Sequence, residues 1–232
     1  MKPKSPSSSR SLLRHGFSLT ELLVVIVIII VLAAVVFPMA RNMRASANKT
    51  ECMNRLRGWG VAMAGYATDH DGKVEWRDWP SISWDPTGCS PYVHYWTGGS
   101  VDFENRNDNG AYANQLKMRW CPTVTWNPKL GNSPVCYATI RPTDNTVSVS
   151  TTEYSLSRIK NPARFMLMIE AASGKGYSIA NSSDFTSRVK VLTDKGTSMR
   201  HKGTVNALMG DYSVNSMTWK QVEAGMSYWT AL

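Results

Sequence analysis

The feature that most constrains this chain is the run FSLTELLVVIVIIIVLAAVVF, from Phe17 to Phe37, which holds one ionisable side chain, Glu21. At helical rise such a run spans about 31 Å, the thickness of a bilayer's hydrocarbon core. It predicts one membrane span. Residues 1–16 carry Lys2, Lys4, Arg10 and Arg14 and no acid. Cations flanking a span stay in the cytoplasm, so everything after Phe37 is expected outside. The net charge of +9 looks like a nucleic-acid signal until it is divided by position. Residues 17–232 hold 22 basic against 17 acidic side chains and no basic block, so no nucleic-acid partner is expected. With 43% apolar and 19% charged residues, the 232-residue chain is neither disordered nor polytopic. It has room for one ordinary domain plus an appendage.

Glu21 makes the span unusual. A carboxylate inside a membrane helix costs a few kcal/mol on insertion scales and normally has a partner. No Lys, Arg or His lies between Phe17 and Pro38. A cut between Gly16 and Phe17 would create one, an ammonium group, which is poorly placed within the same helix but well placed on a staggered neighbour. A secretory signal peptide with a site at Ala33 or Ala34, or a plain signal anchor, leaves Glu21 unexplained. The segment Arg14-His15-Gly16-Phe17-Ser18-Leu19-Thr20-Glu21, followed by the apolar run, closely resembles the processing site of type IV prepilins and type II secretion pseudopilins. That resemblance implies leader cleavage after Gly16 by a membrane aspartyl peptidase, N-methylation of Phe17, and pairing of Glu21 with a neighbour's amine during assembly. Pro38 also fits, at a place where such helices kink or melt. The implied partners are the prepilin peptidase, other pilin or pseudopilin subunits and an inner-membrane assembly platform. The implied location is the cytoplasmic membrane, with the head outside and a fibre when assembled.

The helix is expected to continue past the membrane. From Met39 to Tyr66 there is no proline, and Cys52, Leu56, Trp59, Met63 and Tyr66 recur at helical steps on one face. Asp69-His70-Asp71-Gly72 then reads as a stop. Residues 73–150 hold six tryptophans and seven prolines and predict long loops with short strands. Beyond them, Arg164–Glu170 reads as a buried strand and Arg188–Leu192 as a half-exposed one. Thr204–Met209 and Ser213–Trp219 read as strands joined near Gly210-Asp211-Tyr212. The expected architecture is α+β and pilin-like: a long N-terminal helix packed on a small antiparallel sheet with long loops. The expected division is a leader over 1–16, a transmembrane assembly helix over 17–38 and an extracytoplasmic head over 39–232.

The head has a second resemblance. Cys52-Met-Asn54 with Leu56, then Cys121-Pro122, then Arg200-His201 with Asp211 ten residues on, are similar to landmarks of prepilin-like heads that end in an H-x9-D-G element. Tyr212 stands where that pattern has glycine, and tyrosine disfavours positive φ. His201 and Asp211 are read as a structural pair pinning a hairpin, because no nucleophile elbow or phosphate loop accompanies them. No enzymatic activity and no cofactor are therefore expected. Asn105-x-Asn107-x-Asn109-Gly110 mimics a calcium loop but has Leu116 at the position of the bidentate Glu, so no metal is expected there. The cysteines, at 52, 89, 121 and 136, contain no C-x-x-C. In an oxidising exterior a Cys121–Cys136 link would be worth about 3 kcal/mol, and Cys89 with Cys52 or Cys136 stays open. The tryptophans are read mainly as core plugs.

The expected function is thus a pilin-like structural subunit, a pseudopilin or minor pilin. The alternative is a membrane-anchored glycan-binding head that uses Trp76, Trp79, Trp84 and Trp96 as platforms.

Overall fold

The computed structural model describes residues 18–75, 92–97, 121–123, 136–142, 153–172, 178–179, 182–194 and 200–229. The chain divides into two compact units, Met1–Arg44 and Ala45–Leu232. Helix α1, Leu19–Asp69, belongs to both and contains Pro38 within it. In the first unit every described side chain, from Ser18 to Arg44, is exposed. This segment includes the only described helix long and apolar enough, by length and composition, to cross a membrane.

In the second unit, α1 changes character. Cys52, Leu56, Trp59, Met63 and Tyr66 are buried, as their spacing predicts, along with Ala62 between them and Ala67 just after. The helix ends where Asp71 and Gly72 turn to positive φ, at 52° and 72°. There the Gly72 N–H reaches back to the Ala67 carbonyl at 2.8 Å, a left-handed cap of the kind glycine favours. Strand β1 (Lys73–Glu75) follows and pairs with β3 (Glu153–Ser155). The short helix α2, Tyr92–Thr97, lies between them in sequence.

The main sheet has five strands in the order β5-β2-β4-β6-β7. They are β2 (Tyr137–Ile140), β4 (Met166–Glu170), β5 (Ser178–Ile179), β6 (Thr204–Met209) and β7 (Val214–Thr218). All pairings are antiparallel except β2 with β5. Cys52, Leu56 and Trp59 of α1 share one core with Tyr137, Leu167, Met168 and Leu208. The opposite face packs Ala138, Met166, Ile169 and Val205 against Phe185, Val189, Leu192 and Val222. With both faces covered, β4 reads as an unbroken apolar run instead of an alternating one. Leu167 and Met168 fall on the same face because a register shift lies between Met166 and Met168.

One expected element changes. Arg188–Leu192 is helical: Ser182–Phe185, the wider-wound Thr186–Lys190 and Val191–Thr193 follow one another as helix. Its alternation of charged and apolar residues also fits a helix that buries Phe185, Val189 and Leu192 at steps of four and three. Trp219–Trp229 forms a further helix that closes the second core with Val222.

Candidate functional site

Four buried side chains from distant parts of the sequence meet between α1 and the sheet. Cys52 comes from the apolar stripe of α1, and Cys121 opens the Cys121-Pro122 turn. Glu170 is the last residue of β4, and His201 lies in the turn before β6. One ligating atom from each lies within 4.8 Å of the other three. His201 Nε2 is 3.0 Å from Glu170 Oε1 and 3.2 Å from Cys121 Sγ. Glu170 also accepts bonds from the Asn206 backbone N–H at 3.0 Å and from Asn206 Nδ2 at 3.1 Å. The Tyr137 hydroxyl donates to Cys52 Sγ at 3.3 Å, and the Thr123 hydroxyl lies 2.9 Å from Cys121 Sγ. His201 holds its place at a φ of 44°, left-handed backbone that an L side chain enters at a cost.

The electrostatics follow from these contacts. A bond from Cys52, reinforced by His201, lowers the Cys121 thiol to about 5. Burial, together with donation to Cys121, pushes Cys52 up, so Cys52 keeps its proton. Burial opposes a charged His201, but its bonds to Cys121 and Glu170 outweigh this and raise it to about 9. Burial likewise opposes an ionised Glu170, and the bond and charge of His201 hold it below the usual carboxylate range. The result is a Cys121 thiolate, a His201 imidazolium and a Glu170 carboxylate closed in by protein. Such a thiolate is chemically competent as a nucleophile, but the Cys121 and His201 side chains have no solvent-exposed surface for a substrate to approach. Two thiols, an imidazole and a carboxylate are also the donor types that zinc takes.

Three of these residues stand out in the sequence, in other pairings: its pattern joins His201 to Asp211, whereas the carboxylate partner in the fold is Glu170. Asp211 instead accepts the backbone N–H and hydroxyl of Ser213, at 3.0 and 2.7 Å, and so fixes the β6–β7 turn. Tyr212 does take positive φ there, at 63°, with its ring packed against the core. Cys121 and Cys136 are both buried but form no disulfide with each other, and Cys121 is in the cluster with Cys52. The cysteine at 136 faces Arg200 Nη2 at 3.6 Å. Glu170 does not stand out in the sequence because it ends an apolar strand with no motif around it. Cys89, Trp76, Trp79, Trp84 and the Asn105–Gly110 loop lie outside the described residues. Trp96 is described and packs against Trp59, with ring centroids 5.2 Å apart.

The N-terminal site is simpler. Gly16 and Phe17 lie outside the described residues. Glu21 Oε2 accepts the Ser18 backbone N–H at 2.9 Å, the reach-back bond of a capping box written in sequence as Ser18-Leu19-Thr20-Glu21. Within one chain, then, Glu21 has a local partner as well as the intermolecular one expected of it.

Residues 13–37 match the family model for the prokaryotic N-terminal methylation motif. The match takes in Gly16, Phe17 and Glu21, so the chain carries a type IV pilin-like prepilin signal. Such a motif implies processing by a prepilin peptidase and assembly with other pilins. Together with the exposed apolar helix it fits a membrane-anchored, single-pass protein. No curated protein and no solved structure matches the chain.

Proposed function

We propose that this chain is a pilin-like structural subunit, either a pseudopilin of a type II secretion apparatus or a minor pilin of a type IV fibre. The observation that carries this reading is the methylation motif over residues 13–37, set at the start of an exposed apolar helix. Cleavage after Gly16 leaves a methylated Phe17, and the helix waits in the cytoplasmic membrane with the head outside. On assembly the apolar helices bundle, and Glu21 sets the axial stagger by pairing with the N-terminal ammonium of a neighbour. The head's kinship with proteins that end in an H-x9-D-G element is part of the same reading. It is supported by the meeting of Cys52, Cys121 and His201 in one buried cluster. The role is structural rather than catalytic, and the leader chemistry belongs to the peptidase.

The test is intact mass and N-terminal sequencing of membrane-extracted protein, with and without an active prepilin peptidase. A start at N-methylated Phe17 only when the peptidase is present is expected. An intact Met1 start under both conditions would reduce the helix to a tether. A start after Ala33 or Ala34 would make the head a secreted protein and end the assembly reading.

A further inference from the structure

The cluster at the heart of the head has the composition and closure of a metal site. We infer that Cys52, Cys121, Glu170 and His201 form a structural Zn²⁺ site that ties α1 to the sheet. The donors are Cys52 Sγ, Cys121 Sγ, a Glu170 carboxylate oxygen and His201 Nε2, all within 4.8 Å of one another. Tetrahedral zinc with ordinary bond lengths sets its ligand atoms about 3.3 to 3.8 Å apart. The two separations at His201, 3.0 and 3.2 Å, fall a few tenths of an ångström short of that. The other separations lie within 4.8 Å, so shifts of about 1 Å or less bring the four atoms to tetrahedral spacing around an ion.

Charge points the same way. Two thiolates, one carboxylate and a divalent cation with a neutral imidazole carry a formal charge of −1, and the buried Arg200 beside the cluster, 3.6 Å from Cys136 Sγ, offsets it. A site that is neutral with its ion bound avoids the main obstacle to placing charge in a protein interior. Two thiolates and an imidazole select zinc over calcium or magnesium, which take oxygen donors. Four protein ligands with no open position make the site structural instead of catalytic. The inference does not depend on the pilin reading, since it concerns the head alone.

The test uses the full chain purified in detergent under reducing conditions, with Zn²⁺ and Co²⁺ as the probes. About one zinc per chain should survive extensive dialysis. Co²⁺ exchange should give thiolate-to-metal charge transfer and the intense visible bands of a four-coordinate ion. Cys52→Ser and Cys121→Ser should each lower zinc affinity at least tenfold, while Cys136→Ser, one residue outside the set, should leave it unchanged. Circular dichroism of each variant separates lost ligation from lost folding, and the Co²⁺ spectrum of Glu170→Gln reports ligation where the fold survives. A folded, reduced chain that retains no zinc would overturn the site. So would equal zinc retention in the Cys52→Ser/Cys121→Ser double variant. Extraction without reductant that yields a Cys52–Cys121 disulfide by peptide mapping, with no metal before or after reduction, would replace it with a covalent staple.

Discussion

A buried carboxylate is stable only if its lost hydration is replaced, and Glu170 replaces it with bonds from His201 and twice from Asn206. These contacts make the metal-free head sensitive to pH in a way that can be worked out residue by residue. His201 is raised from 6.5 to about 9, so its contribution is complete below 6.5 and is lost as pH rises through about 9. Cys121 is lowered from 9.0 to about 5, so its contribution is complete above 9.0 and is lost as pH falls through about 5. Between 6.5 and 9 the folded and unfolded chains bind the same number of protons at this pair, and the two trends cancel. The urea midpoint of chelated, reduced protein should therefore be flat from 6.5 to 9 and fall from about 6.5 to 5. A midpoint that falls between 7 and 9 would mean that His201 is charged without Cys121 as its thiolate partner.

At the scale of elements, α1 shows how small residues on a helix admit large ones from elsewhere. A Cβ at Gly58 would collide with the ring of Trp96, which lies against Trp59. Gly58→Ala should gain about 1 kcal/mol of helix propensity and lose more by displacing that ring. The net destabilisation expected is about 1–3 kcal/mol by urea unfolding. In a Trp96→Ala background the same change should be neutral or stabilising, and a cost that persists there would place the clash elsewhere. Trp59→Ala, fully buried on the same face, should cost about 3–5 kcal/mol. The stripe from Cys52 to Tyr66 could be read from spacing because a helix that packs on one side must repeat at 3.6 residues. Arg188–Leu192 misled because its short alternation fits both periods, and only the packing of Phe185, Val189 and Leu192 chooses helix. Tyr212 misled in another way: the intrinsic penalty of positive φ is real, but core contacts of the ring and the Asp211–Ser213 bonds offset it.

At the scale of the whole molecule, the two units answer to different solvents. No described residue from Ser18 to Arg44 is buried, whereas both cores lie within Ala45–Leu232. A chain beginning at Ala45 should therefore be soluble and keep the unfolding free energy of the full chain in detergent, read from urea titration, within about 1 kcal/mol. Loss of the fold in that fragment would show that the apolar segment supports the head. Glu21→Leu should insert in the membrane at least as well as the parent chain, because it removes the one carboxylate from the span. The same variant should fail to co-assemble with other subunits, as read by shear fractions or crosslinking. The sequence by itself determined the signal at Gly16, Phe17 and Glu21, the long helix, its buried stripe and the β6–β7 hairpin. Each of these is local, fixed by neighbours a few residues away or by a repeat along one element. Only the tertiary structure decided that His201 meets Glu170 and that Cys121 meets Cys52. Those partners are separated by 31 and 69 residues, and nothing along the chain encodes which distant carboxylate or thiol a fold will bring to the same point.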